Sequence, residues 1–161
     1  MRTENAPLIR LEDYRPTDYR IDTVDLDFKL AAEATRVISR LGIVRREATA
    51  AGAPLALDGD GLVLKGLSID GMPLRDEEYQ ATPDRLVVNK PPADPFTLEV
   101  ITEVNPTANS ELMGLYRSNG AYTTQCEAEG FRRITYFLDR PDVLSVYTCL
   151  LYTSDAADED C

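Results

Sequence analysis

There is no histidine among the 161 residues of this chain. That excludes a zinc site built on imidazole, a Ser-His or Cys-His nucleophile pair, and an imidazole acid or base. Catalysis by this chain alone would have to use carboxylates, tyrosine, lysine or cysteine, so a complete enzyme is not expected. Cysteine is scarce too. Cys126, Cys149 and Cys161 are odd in number and not closely spaced, which is no disulfide framework, and a reducing, cytoplasmic setting is expected. No apolar run approaches the length of a transmembrane helix, and residues 1–10 show no signal-peptide pattern, so no membrane partner is expected. Positive charge is short as well: 17 Lys and Arg against 28 Asp and Glu leave a formal net charge of −11. Such a surface repels phosphate backbones and excludes nucleic acid as a natural partner. It suits solubility, or a site that welcomes cationic groups.

What remains is ordinary globular material, 43% hydrophobic and 28% charged, of a length that suits one domain with a core. The dominant signal is a period of two. Val24, Leu26, Phe28 and Leu30 alternate with Asp25, Asp27 and Lys29, which places the apolar set on one face of a strand. A second strand is predicted over 35–45, studded with Arg36 and Arg40 and followed by Arg46, a solvated basic face opposite the acidic first strand. The Ala-rich run 48–53 reads as a loop. Short apolar runs at 55–57, 62–64 and 67–69 are separated by Asp58-Gly59-Asp60-Gly61 and by Gly66. The first of these separators lacks the oxygen ligands of a calcium loop and reads as a turn. Asp70-Gly71 is a hairpin signal, and Tyr79 and Leu86-Val88 add short strands about Pro83-Asp84. Phe96, Leu98, Val100, Thr102 and Val104 repeat the clean alternation before Asn105-Pro106 ends it.

Strands at intervals of roughly eight to twelve residues, with no helical period, predict an all-β fold, an antiparallel β-sandwich or saddle. Residues 1–10 read as a flexible leader and 11–148 as the domain. The final run 149–161 ends in acidic low complexity and shows no strand grammar; it reads as a non-native tail.

The stretch 123–142, TTQCEAEGFRRITYFLDRPD, is unlike the rest. It gathers Gln125, Cys126, Glu127 and Glu129 within five positions, then an arginine pair, three aromatics and a Leu-Asp-Arg-Pro-Asp turn. Polar side chains this dense are unusual where the only task is to cover a core.

Several segments in register carry a resemblance. Asp13-Tyr14-Arg15-Pro16, Asp18-Tyr19, Glu103-Val104-Asn105-Pro106-Thr107-Ala108-Asn109, Gly114-Leu115-Tyr116-Arg117-Ser118, Thr124 through Arg132 and Leu138-Asp139-Arg140-Pro141-Asp142 together resemble the N-terminal domain of the bacterial aminopeptidase N family. These are alanyl aminopeptidases among the gluzincin zinc metallopeptidases. The resemblance covers roughly residues 11–148. It implies a saddle-shaped β-domain, incomplete here at its C-terminal end, that packs in cis on a thermolysin-like catalytic domain. It also implies zinc, bound by a His-Glu-x-x-His helix in that missing domain, and peptide substrates with free N-termini.

By the same resemblance, Glu127 is a carboxylate that receives the substrate's α-ammonium, and Gln125 lines the same pocket. No catalytic or metal-binding residue is implied within the chain. An ammonium leaving water needs charged, hydrogen-bonded partners, so an anionic pocket is what such a reaction requires. Glu129 is expected to pair with Arg132 or Arg133, Cys126 to be a small buried residue, and Tyr116 and Tyr136 to be core or domain-interface aromatics. Tyr122 is placed in a loop over 119–123. The alternative readings are a free-standing β-sandwich binding module and a non-catalytic family member with a scaffolding role.

Overall fold

A computed structural model describes residues 10–153. Residues 1–9 of the expected leader and 154–161 of the expected tail lie outside the described residues.

The fold is all-β with open sheets. Its backbone is a six-stranded sheet in the order β11-β1-β2-β8-β4-β5, formed by β1 (Tyr19–Leu30), β2 (Thr35–Arg45), β4 (Val63–Ile69), β5 (Met72–Pro73), β8 (Phe96–Val104) and β11 (Val146–Thr153). A three-stranded sheet joins β3 (Leu55–Asp58), β7 (Arg85–Val88) and β6 (Tyr79–Thr82), and a hairpin joins β9 (Gly114–Ser118) to β10 (Ala121–Gln125). The only helical turns among the described residues are two three-residue 3₁₀ turns, Leu11–Asp13 and Phe131–Arg133.

Alternation fixes the two central strands. In β2 and β8 the odd and even positions bury Val37, Leu41, Ile43, Leu98 and Val100 on the inner side. The outer side carries the charges. Arg40 of β2 reaches Asp27 of β1 and Glu99 of β8, each at 2.9 Å, so this arginine of the basic stripe is paired across three strands. These pairs are partly exposed, and each adds at most about 1 kcal/mol.

β1 starts five residues earlier than the strand predicted from Val24. Its register with β2 shifts between Ile21 and Thr23. This bulge turns both Ile21 and Val24 inward, breaking the period of two that marks the remainder of the strand. Gly66 likewise interrupts nothing: 63–69 is one strand, bulged between Leu64 and Gly66 where Gly66 lies against Ile101. The Asp70-Gly71 hairpin forms as expected, with both residues at positive φ, 49° and 81°.

Two further expectations are corrected. The main sheet is not wholly antiparallel, because β11 pairs parallel to β1, from Thr23 opposite Val146 to Leu30 opposite Thr153. The strand therefore runs across the boundary drawn at 148, and Cys149 through Thr153 are part of it. Every residue of β11 is exposed on this outermost strand, so burial imposes no alternation that a sequence reading could find.

The centre of the molecule is the segment 134–138. Ile134, Thr135, Tyr136, Phe137 and Leu138 are all buried, although they form only one isolated bridge, between Phe137 and Asp58. Below, the Thr135 hydroxyl meets the Ser39 hydroxyl at 2.7 Å, and the Thr102 hydroxyl donates to the Ile134 carbonyl at 2.8 Å. Above, Asp58 and Phe137 exchange backbone hydrogen bonds of 2.8 and 3.0 Å, and the Tyr136 hydroxyl donates to the Thr82 carbonyl at 2.5 Å. The segment thus ties the large sheet to the small one through hydrogen bonds on both of its sides.

Candidate functional site

Residues 125–133 leave the β9–β10 hairpin and descend into that buried segment. The hairpin turns at Asn119 and Gly120, both at positive φ, 50° and 84°. Tyr122 is therefore in a strand and not in a loop; its ring is half-buried and the Arg117 guanidinium lies 5.2 Å from its centre.

Gln125 ends β10 with its side chain exposed, and Glu127 follows two residues later, also exposed. The Gln125 carboxamide donates to the Glu127 backbone carbonyl at 3.1 Å. The two residues named from the sequence are thus side by side, and one holds the other's backbone. The loop then closes on itself, as the Gly130 N–H donates to the Cys126 carbonyl at 2.8 Å. A side chain at 130 would not fit, because its Cβ would stand 2.8 Å from Cys126 Cα and 2.9 Å from the Gln125 oxygen. Glu129 takes a φ of +61°, a conformation uncommon for a residue with a Cβ.

Past the loop, the chain is anchored. Phe131 meets Phe137 edge-to-face with ring centres 4.9 Å apart. Arg132 donates to Asp139 three times: from Nε to Oδ2 at 2.9 Å, from Nη2 to the carbonyl at 2.9 Å, and from its backbone N–H to Oδ2 at 3.1 Å. The same Nη2 also lies 3.5 Å from a Glu129 carboxylate oxygen, which makes Arg132 the partner of Glu129. Arg133 pairs instead with Asp60 at 2.9 Å. Asp139 was read only as part of a turn. No local period links residues seven apart, so sequence carried no sign of this pairing.

The charge pattern singles out one residue. Within 123–142, Glu129 and Asp139 face Arg132, and Asp142 faces Arg140 at 2.8 Å. Glu127 is the remaining carboxylate, and among the described residues its side chain makes neither an ion pair nor a hydrogen bond. The next two residues, Ala128 and Glu129, line a groove of about 750 Å³ together with Asp60, Asp84, Arg132 and Arg133.

Cys126 is half-buried against the core, and burial pushes its thiol pKa up, with the negative charge of Asp139 adding to the effect. A thiol held in its protonated form is a poor nucleophile, which agrees with a packing role. Tyr136 is core, 1% exposed, and Tyr116 is half-buried in β9.

The turn that follows is a clip on the N-terminal segment. Tyr14 donates to Asp142 at 2.9 Å, and Arg140 donates both to Asp142 and to the Arg15 carbonyl at 2.9 Å. Burial acts to raise the Asp142 pKa, but the hydrogen bonds from Arg140 and Tyr14 outweigh it, and the net direction is below the ordinary 3.8. The Tyr14 pKa moves up from 10.0, chiefly through its hydrogen bond to Asp142. A depressed carboxylate adds stability above its unfolded pKa and loses it as pH falls through the folded value. A raised phenol adds stability below 10 and loses it as pH rises through its folded value. The clip is therefore expected to hold between about pH 4 and 10, set by these two groups. Carboxyl NMR titration should find Asp142 below 3.8; a midpoint at or above that value contradicts the clip.

Among the described residues, no three His, Cys, Asp or Glu side chains gather where they could hold a metal ion. Together with the lack of histidine, the donor set of the described residues does not fit zinc. No helix among the described residues is long and apolar enough to cross a membrane.

The all-β core, the pinned loop and the unpaired carboxylate define a β-domain whose family can be stated. Residues 16–156 match the Peptidase M1 N-terminal domain, and the chain belongs to that family. It is 46% identical over 148 residues to aminopeptidase N of Caulobacter vibrioides, covering 92% of this chain and 17% of that protein. It is also 46% identical over 139 residues to aminopeptidase N of Escherichia coli, covering 84% of this chain and 15% of that protein. Among solved structures, Legionella pneumophila aminopeptidase A in complex with aspartic acid superposes with a TM-score of 0.80 at 33% identity, over 89% of this chain and 17% of that one. The chain thus spans about a sixth of the length of these curated relatives.

Proposed function

We propose that this chain is the substrate-facing N-terminal domain of a zinc aminopeptidase that releases N-terminal amino acids from peptides. In this reading Glu127 receives the α-ammonium of the substrate, and Gln125 lines the same pocket. The observation that carries it is the unpaired, exposed Glu127 carboxylate on a loop whose other acidic neighbours are all matched with arginine. An exposed carboxylate is solvated when empty. Covered by a second domain, it would lose that water and bind best to a cation that supplies hydrogen bonds. An α-ammonium, with three N–H donors, is such a cation.

The zinc of such an enzyme has to be held by residues outside this chain, in a catalytic domain packed on the loop in cis. The same reading puts the protein in the cytoplasm, a reducing setting that suits free thiols such as Cys126 and Cys149. The chain alone is expected to hydrolyse nothing, while the full-length polypeptide releases p-nitroaniline from alanyl-p-nitroanilide in a chelator-sensitive way. Chelator-sensitive turnover by the purified chain of 161 residues overturns this reading. So does a full-length reading frame without a downstream zinc-binding His-Glu-x-x-His.

A further inference from the structure

Glu127 is carried by a short span between two fixed points. One is the end of β10, where Gln125 grips the Glu127 carbonyl. The other is Arg132, at the foot of the loop. Between them, Glu129 holds a left-handed backbone conformation that its Cβ disfavours. Something must hold it there, and the one charged partner that Glu129 has among the described residues is Arg132.

We infer that Arg132, locked by Asp139, is a positioning residue for Glu127, acting through Glu129 and the backbone of 127–130; this rests on the amine-binding reading of Glu127. The two contacts of Arg132 are unequal. Toward Asp139 it makes three hydrogen bonds, with side chains only 23% and 13% exposed. Toward Glu129 it makes one contact of 3.5 Å to a side chain 59% exposed. A half-buried, multiply bonded pair is the rigid element, whereas an exposed pair at that distance is weak by itself. Asp139 therefore fixes the guanidinium, and the fixed guanidinium sets where Glu129 can rest. A second tether holds the backbone at the same point, since the Asp60 N–H donates to the Arg132 carbonyl at 3.0 Å. Without the guanidinium, Glu129 is free to relax toward negative φ. Rotation there swings the Glu127 Cα, two residues away, and re-aims its carboxylate. Charge-assisted hydrogen bonds are directional, so a misaimed carboxylate binds an ammonium less well even with its charge intact.

The test is a double-mutant cycle in the full-length polypeptide, with alanyl-p-nitroanilide as substrate. Arg132→Gln is expected to raise KM and to lower kcat/KM by about 10-fold or more, within the range that displacement of a positioned group produces. On a Glu127→Ala background, the same substitution is expected to add little, because the residue it positions is gone. A purely structural role would lower activity by the same factor on both backgrounds, and that additivity overturns the inference. Should Arg132→Gln fail to fold, Arg132→Lys keeps the charge but not the fork that grips Asp139. It is expected to show the same KM increase with a near-normal melting temperature. Wild-type KM in a folded Arg132 variant also overturns the inference. If Glu127→Ala alone leaves kinetics unchanged, the amine-binding reading falls first and takes this inference with it, so the two failures are distinguishable.

Discussion

Replacing Glu127 with alanine in the full-length polypeptide is expected to lower kcat/KM for alanyl-p-nitroanilide by about 100-fold, equivalent to about 2.7 kcal/mol. Truncating one partner of a desolvated, hydrogen-bonded charge pair costs about 2–5 kcal/mol. The lower part of that range applies, because Glu127 is exposed here. The loss should be carried mainly by KM, as for an interaction present in both ground and transition states. Glu127→Gln separates charge from shape. It keeps an acceptor oxygen and the loop contacts of the backbone, so it should recover only a small part of the activity if charge dominates. The preference for a free amine over an N-acetylated substrate should shrink in both variants. Near-normal KM with intact amine preference in Glu127→Ala removes the residue from the site. The loop itself should survive, because the Glu127 side chain makes no contact that holds it among the described residues, whereas its carbonyl is held by Gln125.

How much of this was legible depended on which physical constraint spoke through the side chains. β2 and β8 were readable to the residue, because each buries one face and exposes the other. Where a bulge shifts the phase, as between Ile21 and Thr23, the same rule cut the strand short. The buried segment 134–138 was hidden for the opposite reason. With neighbours on both sides it has no polar face, so Tyr136 alone is marked as a core or interface aromatic and the run as a whole is not legible as buried. β11 was missed because exposure along its whole length leaves no alternation to detect. At the site, the sequence named Gln125 and Glu127 through resemblance alone; nothing in composition distinguishes Glu127 from Glu129. What separates them is tertiary. Glu129 finds Arg132 three positions on, Asp139 claims the same arginine from seven, and Glu127 is left unpaired. Pairing of that kind depends on the descent into 134–138, which had itself escaped notice.

That descent makes the largest stability prediction. Tyr136→Ala is expected to destabilise the domain by about 3–5 kcal/mol, the usual cost of emptying a buried aromatic site. This is a large share of the roughly 5–15 kcal/mol by which a domain is stable. Tyr136 is 1% exposed, its ring lies against Gly59, and its hydroxyl reaches the Thr82 carbonyl at the end of β6. Removing the ring opens a cavity where the two sheets are joined, one residue from the Phe137–Asp58 bridge. Tyr136→Phe keeps the ring and loses only the hydrogen bond. Because Thr82 is exposed, water can take the place of the hydroxyl, and the cost falls to about 1 kcal/mol. Midpoints of urea denaturation should order as wild type, Phe, then Ala, with the second gap the larger. The phenol also leaves a mark on pH dependence. Burial raises its pKa above 10.0, so its contribution is present below pH 10 and lost as pH rises through the folded value. Tyr136→Phe should therefore blunt alkaline unfolding, only in part because Tyr19 and Tyr147 are raised by burial in the same direction. An alanine variant that unfolds within about 1 kcal/mol of wild type would show that 134–138 does not join the sheets. The Arg132–Asp139 anchor would then have no rigid base on which to hold Glu127.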